Sequence, residues 1–259
     1  MPRGSLVVVG TGIKTTGHLT TEAIAWMKRA DKLLYVVGDP IAVESIQRLN
    51  PKGAESLYVF YGEGKPRLDT YHEMVNRILQ CVRAGSVTCA AFYGHPGVFV
   101  YPSHEAIRRA RSEGFSARML PGISAEDCLF ADLGVDPAMS GCQSYEATDF
   151  LVHGRVIDTS CPVILWQIGV VGDWTFKKNG YDLSALPLLV ERLCQYYSPD
   201  HMTCVYEAAV YPGCDPVIKW VPIRQLEEAG LSAVSTLYVP PSRKPTPDPA
   251  ICSRLKINA

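Results

Sequence analysis

No stretch of the 259-residue chain approaches the ~18 consecutive apolar residues of a membrane-spanning helix. The apolar run near the N-terminus, Leu6 to Val9, is too short for a signal peptide and runs straight into Gly10-Thr11-Gly12. Neither sign of charge predominates: 25 Lys and Arg against 26 Asp and Glu leave a formal net charge of −1, which gives no global electrostatic reason to bind nucleic acid or an anionic membrane. No two of the nine cysteines form a C-x-x-C pair, and Cys81, Cys89, Cys128, Cys194 and Cys204 sit in apolar surroundings, as buried free thiols do. A reducing cytoplasm fits that pattern. The six histidines lack zinc spacing, and His104-Glu105 has no second histidine four positions after the first, so no metal chemistry is expected. There is no internal repeat.

What is present is 47% hydrophobic residues, enough for a real core, arranged as short apolar strands alternating with amphipathic helices. Ser5–Val9, Leu33–Val37, Ser56–Phe60, Val87–Phe92 and Ser116–Leu120 read as strands; Thr21 to Ala30 reads as a helix. The strongest helix is Leu68–Ala84, where Tyr71, Met74, Val75, Ile78, Leu79 and Val82 repeat at the three-four spacing of one buried face. Pro121-Gly122 marks a hinge between halves. Beyond it, Ser124-Ala125-Glu126-Asp127 reads as a capped helix start, Pro162–Ile168 as an apolar strand carrying Gln167, Leu186–Tyr196 as a helix, and Thr203–Ala208 and Val234–Val239 as strands. Such alternation predicts an α/β protein with parallel-type connections. The expected division is residues 1–120, 121–241 and an extended tail, 242–259, because five of the ten residues from Pro240 to Pro249 are proline.

The most informative stretch is Tyr93-Gly94-His95-Pro96-Gly97-Val98-Phe99. It follows a buried-type strand and precedes Ser103, which reads as the N-cap of a helix over His104–Ser112. Loops at strand carboxyl ends bind ligands in open α/β sheets, and glycines flanking a proline give a fixed backbone with little bulk. The same residues also suit an ordinary βα loop. Gly10-Thr11-Gly12 lacks the third glycine of a dinucleotide fingerprint, with Thr at position 15. Asp39-Pro40 reads as a turn as readily as a ribose-binding acid.

Together, Val9-Gly10-Thr11-Gly12, the Tyr93–Phe99 stretch and Leu120-Pro121-Gly122-Ile123-Ser124-Ala125 resemble the tetrapyrrole-methylase superfamily over roughly residues 5–241. That resemblance implies two α/β domains with S-adenosylmethionine folded in the cleft between them, and a homodimer. Three further runs, Tyr61 to Tyr71, Ala125 to Asp132 and Val234 to Pro241, resemble the borosin branch, whose members N-methylate backbone amides of a ribosomal precursor peptide. The founding fungal enzymes carry that substrate at their own C-terminus behind a clasp domain. This sequence ends Arg254-Leu255-Lys256-Ile257-Asn258-Ala259, which resembles the split enzymes, whose precursor is a separate protein. A hetero-oligomer of two enzymes and two precursors, with one precursor per active site, is then expected.

The resemblance implicates Arg67, Tyr71, Tyr61 and Tyr93 in catalysis. Arg67 and Tyr71 lie four apart on the long helix and so project toward one site. A guanidinium beside a phenol favours the phenolate, which suits Tyr71 as base or proton relay, Arg67 stabilising a phenolate or imidate-like oxygen, and Tyr61 completing a proton path. Tyr71 also begins the apolar stripe and fits a core position, with Arg67 a surface charge. Tyr58 is either a substrate contact or a strand residue. Cofactor contacts carry over to Tyr93, His95, Val98, Ala125, Gln167, Ala208, Ser235 and Thr236, with S-adenosylhomocysteine as product. Gln167 reads as a buried amide that needs partners, either an adenine edge or neighbouring backbone. Other acceptors on this fold are a corrinoid or other tetrapyrrole, a diphthamide precursor and ribosomal RNA. A further alternative is a non-catalytic regulator that only binds cofactor or peptide.

Overall fold

A computed structural model describes residues 4–257, and the chain packs as two compact units. Among these residues the first unit comprises 4–134, 174–179 and 208–216, and the second 135–173, 180–207 and 217–257. Pro121 and Gly122 fall inside the first unit, and the division follows Gly134.

The first unit is a five-stranded, wholly parallel sheet of β1 (Ser5–Gly10), β2 (Lys32–Val36), β3 (Ala54–Ser56), β4 (Val87–Phe92) and β5 (Ser116–Met119), ordered β3-β2-β4-β1-β5. Its helices are α1 (Thr21–Arg29), α2 (Pro40–Leu49), α3 (Arg67–Arg83), α4 (Tyr101–Ser112) and α5 (Ala125–Leu133). Alternate strand side chains point to opposite faces, and here both faces are apolar. Leu6 and Val8 of β1 join α3 residues Val75, Ile78 and Leu79 in one core; Val7 and Val9 join Ala23 and Met27 of α1 and Ile46 of α2 in another. A sheet buried on both sides reads as continuous apolar runs, which is why these strands are legible in the sequence.

α3 buries Met74, Val75, Ile78, Leu79 and Val82, a gross stabilisation on the order of 10 kcal/mol before chain entropy is counted. Ile78→Ala would cost about 2–5 kcal/mol by opening a cavity. Its start is less conventional: Pro66 offers no side-chain cap, and Arg67 occupies the first turn. A cation there opposes the helix dipole, so Arg67 adds nothing to the stability of the helix start.

Three local expectations give way. The strand expected over Ser56–Phe60 is β3 (Ala54–Ser56) followed by a 3-10 turn, Leu57–Phe60, capped by Ser56 Oγ accepting from Tyr58 N. Ser103 is not an N-cap. α4 begins two residues earlier, where Pro102 suits a first turn that needs no donor, and Ser103 is buried inside it with no partner on its Oγ. Asp39-Pro40 opens a full helix, α2, with Asp39 accepting from Ile41 N and Ala42 N as its cap.

The second unit holds β6 (Gln143–Glu146), β7 (Val163–Trp166), β8 (Met202–Glu207), β9 (Val217–Pro222) and β10 (Thr236–Val239) in the order β6-β7-β10-β8-β9. Only β6 and β7 are parallel; the remaining pairings are antiparallel. The expectation of parallel connections therefore fails here. Residues 208–216, which join β8 to β9, are too few for the crossover a parallel pair requires. One face packs α6 (Ala147–Val152) and α7 (Leu186–Cys194) through Phe150, Leu189 and Leu193 onto Val163, Leu165, Val205 and Leu237. The Pro-rich tail is extended until α8 (Pro249–Leu255), whose Asp248 cap and Pro249 start are favourable helix signals.

Candidate active site

Three loops leave the carboxyl ends of β1, β4 and β5 and meet backbone to backbone. Gly12 N donates to Gly94 O at 3.2 Å, and Gly94 N donates to Gly12 O at 3.0 Å. Both glycines have positive φ, 70° and 73°, which L side chains resist. A Cβ on Gly10 would collide with Gly94 O and the Pro96 ring, and one on Gly122 would sit 3.2 Å from Gly10 Cα and Gly94 O. The result is a fixed, side-chain-free surface at the ligand-binding end of a parallel sheet.

His95 Nδ1 accepts from Gly97 N at 2.9 Å, so that nitrogen is unprotonated and Nε2 carries the hydrogen. Val98 N closes the turn onto His95 O at 3.2 Å. Ala125 opens α5 behind Ser124, which forms a capping box with Asp127.

Beside these loops the first unit gathers the tyrosines. Tyr61 follows the 3-10 turn in a loop tied to α3: Lys65 Nζ donates to Phe60 O at 3.0 Å and to Glu73 Oε2 at 2.6 Å, and Thr70 Oγ1 donates to Phe60 O. The Tyr61 ring packs on Phe176 at 4.7 Å and Tyr58 at 5.2 Å. Tyr58 is thus a ring contact of Tyr61 on a 3-10 turn rather than a strand residue. Arg67 N donates to Trp174 O at 2.9 Å, fixing the start of α3.

Tyr61, Tyr71 and Tyr93 line one cavity of about 120 Å³, closed by Val36, Met74, Phe92 and Phe99. Its walls carry no charged residue. Tyr71 is half-buried, at the margin of the core rather than inside it.

The electrostatics sort the three phenols. Desolvation pushes Tyr61 well above the ordinary tyrosine value; negative charge on Tyr71 adds to the rise, the Arg67 cation opposes it, and a hydrogen bond with Tyr71 raises it further. A hydrogen bond that raises an acid's pKa stabilises its neutral form, so burial and this bond both keep the Tyr61 phenol neutral. Tyr61, Arg67 and Tyr71 are therefore one interacting set. Tyr93 is raised to about 12, by desolvation first, although 45% of the residue is exposed. At neutral pH both Tyr61 and Tyr93 stay protonated and act as donors.

In the second unit, Ile168 N donates to Ser235 O at 3.1 Å, which sets Gln167 beside Ser235 and Thr236. Gln167 is neither buried nor inside its strand: β7 ends at Trp166, and Gln167 is exposed with φ 61° and ψ 36°. The apolar run Pro162–Ile168 is therefore not one strand: the left-handed residue breaks it. Such backbone in a non-glycine residue costs about 1–3 kcal/mol and clusters at ligand sites. Ser235 Oγ donates to Glu207 at 2.6 Å and accepts from Ser232 N at 2.8 Å, and Thr236 is buried. Ala208 belongs to the first unit, where it lines a cavity of about 370 Å³ with Lys14, His18 and Asp132.

Two features had weaker signals in the sequence. Phe99, within the stretch singled out above, has φ 55° and remains 54% exposed, and no residue pattern announces positive φ at a phenylalanine. Asp39, besides capping α2, accepts from Thr15 Oγ1 and Tyr211 Oη, each at 2.6 Å. Desolvation of Asp39 opposes these bonds, but they hold its carboxyl below the usual range.

A doubly wound parallel sheet carrying a glycine-lined ligand loop, followed by a second, mixed α/β unit, defines the class as a two-unit α/β protein of the methylase type. Residues 5–210 match the family described as Tetrapyrrole (Corrin/Porphyrin) Methylases, and the chain belongs to that family. It is 47% identical over 245 residues to the methyltransferase/ribosomally synthesized cyclic peptide dendrothelin A precursor of Dendrothele bispora, covering 93% of this chain and 58% of that protein. It is 43% identical to the corresponding omphalotin A precursor protein of Omphalotus olearius, covering 98% and 62%. The chain thus spans about three fifths of the length of these curated relatives. Among solved structures, the uroporphyrin-III-C-methyltransferase of Thermus thermophilus superposes with a TM-score of 0.66 at 18% identity, covering 92% of this chain and 93% of that one. That likeness concerns the fold.

Proposed function

We propose that the protein is an S-adenosylmethionine-dependent methyltransferase acting on backbone amide nitrogens of a ribosomally made precursor peptide. The observation that carries this reading is the set of Tyr61, Arg67 and Tyr71 beside Tyr93, in a chain 40–47% identical to methyltransferase/precursor proteins. The cofactor would lie against the glycine junction, where Gly10 and Gly122 let the loops pack backbone to backbone and so offer main-chain groups rather than side-chain bulk. Tyr93, His95, Val98, Ala125 and Ala208 are its proposed contacts in the first unit, and Gln167, Ser235 and Thr236 in the second. S-adenosylmethionine supplies an electrophilic methyl group and leaves as S-adenosylhomocysteine.

The chain's task is to make an amide nitrogen nucleophilic, since its lone pair is delocalised into the carbonyl. Tyr71 Oη, held by the Tyr61 hydroxyl, receives the N–H proton. Arg67 stabilises Tyr71 as the phenolate that takes this proton, and then the negative charge that develops on the imidate-like carbonyl oxygen. Tyr93 stays neutral and donates beside the cofactor loop. The cavity is lined mainly by apolar side chains, and a lowered local dielectric strengthens these interactions.

A homodimer with one precursor per active site belongs to this reading, and light scattering checks it. A cytoplasmic setting suits the nine free cysteines. No helix among the described residues is long and apolar enough to cross a membrane.

Coexpression with a candidate precursor, followed by fragmentation mass spectrometry, tests the function. The expected result is successive one-methyl shifts on backbone nitrogens. Because the precursor is supplied as a separate protein, the same experiment tests delivery in trans. Methyl groups found only on side chains, on RNA or on a corrin ring would overturn the proposal.

A further inference from the structure

We infer that Tyr101 is a positioning residue that acts through Tyr71, an inference that rests on Tyr71 receiving the amide proton. Tyr101 opens α4 and is 41% exposed. Its ring stacks on Tyr71 with centroids 6.2 Å apart and planes 27° from parallel. Its hydroxyl lies 3.2 Å from His72 Nε2, and the His72 ring meets it edge-on at 5.8 Å. Tyr101 therefore grips two successive residues of α3, one through its face and the other through its oxygen.

Tyr71 sits only one turn from the helix start, where Pro66 provides no side-chain cap, so α3 does little to immobilise it. One side of Tyr71 faces Tyr61 and the cavity; the Tyr101 ring lies along it from α4. Offset aromatic stacking at this separation restricts ring rotation and tilt. The phenol oxygen is thereby kept where it meets the Tyr61 hydroxyl. Proton transfer requires approach within hydrogen-bond distance, and a misplacement of ~1 Å at a reacting group can cost about a hundredfold in rate. His72 fixes the Tyr101 plane and adds nothing at the reacting atoms.

Three chains test the inference: wild type, Tyr101→Phe and Tyr101→Leu. Leucine keeps apolar bulk but removes the planar face; phenylalanine keeps the face and drops only the His72 bond. Single-turnover methylation should fall about tenfold or more in Tyr101→Leu, with cofactor KM and thermal midpoint unchanged, and Tyr101→Phe should restore most of the rate. NMR of ring-labelled tyrosine gives a readout free of turnover: Tyr71 ring flips should be faster in Tyr101→Leu than in the other two. Wild-type rate and flip behaviour in Tyr101→Leu would overturn the assignment, as would a Tyr101→Phe chain as slow as Tyr101→Leu. A wild-type chain that methylates some other acceptor refutes the functional proposal, while the ring-flip comparison still decides the role of Tyr101.

Discussion

Removing one oxygen from Tyr71 tests the chemistry with the least disturbance. Tyr71→Phe keeps the ring, its stack on Tyr101 and its place at the margin of the core. What disappears is the partner in the Tyr61 hydrogen bond and the group beside Arg67. General-base catalysis contributes about 10²–10⁴-fold, so single-turnover methylation should slow by that factor, or about 3–5 kcal/mol of barrier. Tyr61→Phe removes a donor to a charged oxygen, worth about 1.5–3 kcal/mol. It should be milder, and the double variant should be scarcely slower than Tyr71→Phe, since Tyr61 then has nothing to hold. Rapid-quench mass spectrometry reads all three rates, and calorimetry should find cofactor affinity nearly unchanged. A Tyr71→Phe chain that is folded and retains the wild-type single-turnover rate would remove proton transfer from this residue.

Other consequences follow from the same geometry. Gly10→Ala should abolish cofactor binding and lower the denaturation midpoint, because its Cβ would strike Gly94 O and Pro96 in a junction with no flexible side chain to yield; calorimetry and a melting curve check both. Gln167→Gly should stabilise the chain by about 1 kcal/mol through relief of the φ 61° backbone while weakening cofactor binding, and urea titration beside calorimetry separates the effects. Burial raises the Cys89 thiol from 9.0 to about 12. The folded state therefore holds a proton that the unfolded state releases, so this contribution is intact below pH 9 and lost as pH rises toward 12. The loss from that thiol alone is about 4 kcal/mol. Urea unfolding across that range should show the decline, and Cys89→Ala should flatten it.

How much the sequence discloses depends on what each residue type can announce. The parallel sheet was legible because both faces are buried, so β1 and β4 are unbroken apolar runs. α3 was legible because Met74, Ile78 and Val82 repeat on one face. In the second half β7, β8 and β10 were legible as apolar runs, but β9 leaves Val217, Ile218 and Trp220 exposed and so lacks a core pattern. Gln167 was misjudged because a left-handed residue between two apolar segments looks like strand; only the backbone angle distinguishes them. Ser103 misled because a serine before charged residues is a common cap signal, whereas here Tyr101-Pro102 starts the helix. The tyrosines and Arg67 were identified through resemblance rather than periodicity. That Tyr61 and Tyr93 stay neutral follows from burial, which composition does not carry.

The most direct test of the account supplies S-adenosylmethionine carrying an isotopically labelled methyl group to the purified chain with a precursor peptide, and locates the label by NMR and peptide fragmentation. The account predicts labelled N-methyl amides in the peptide backbone, formed by the wild-type chain and nearly absent with Tyr71→Phe. Label on the backbone at equal rates from both chains, or label on any other class of atom, would contradict it.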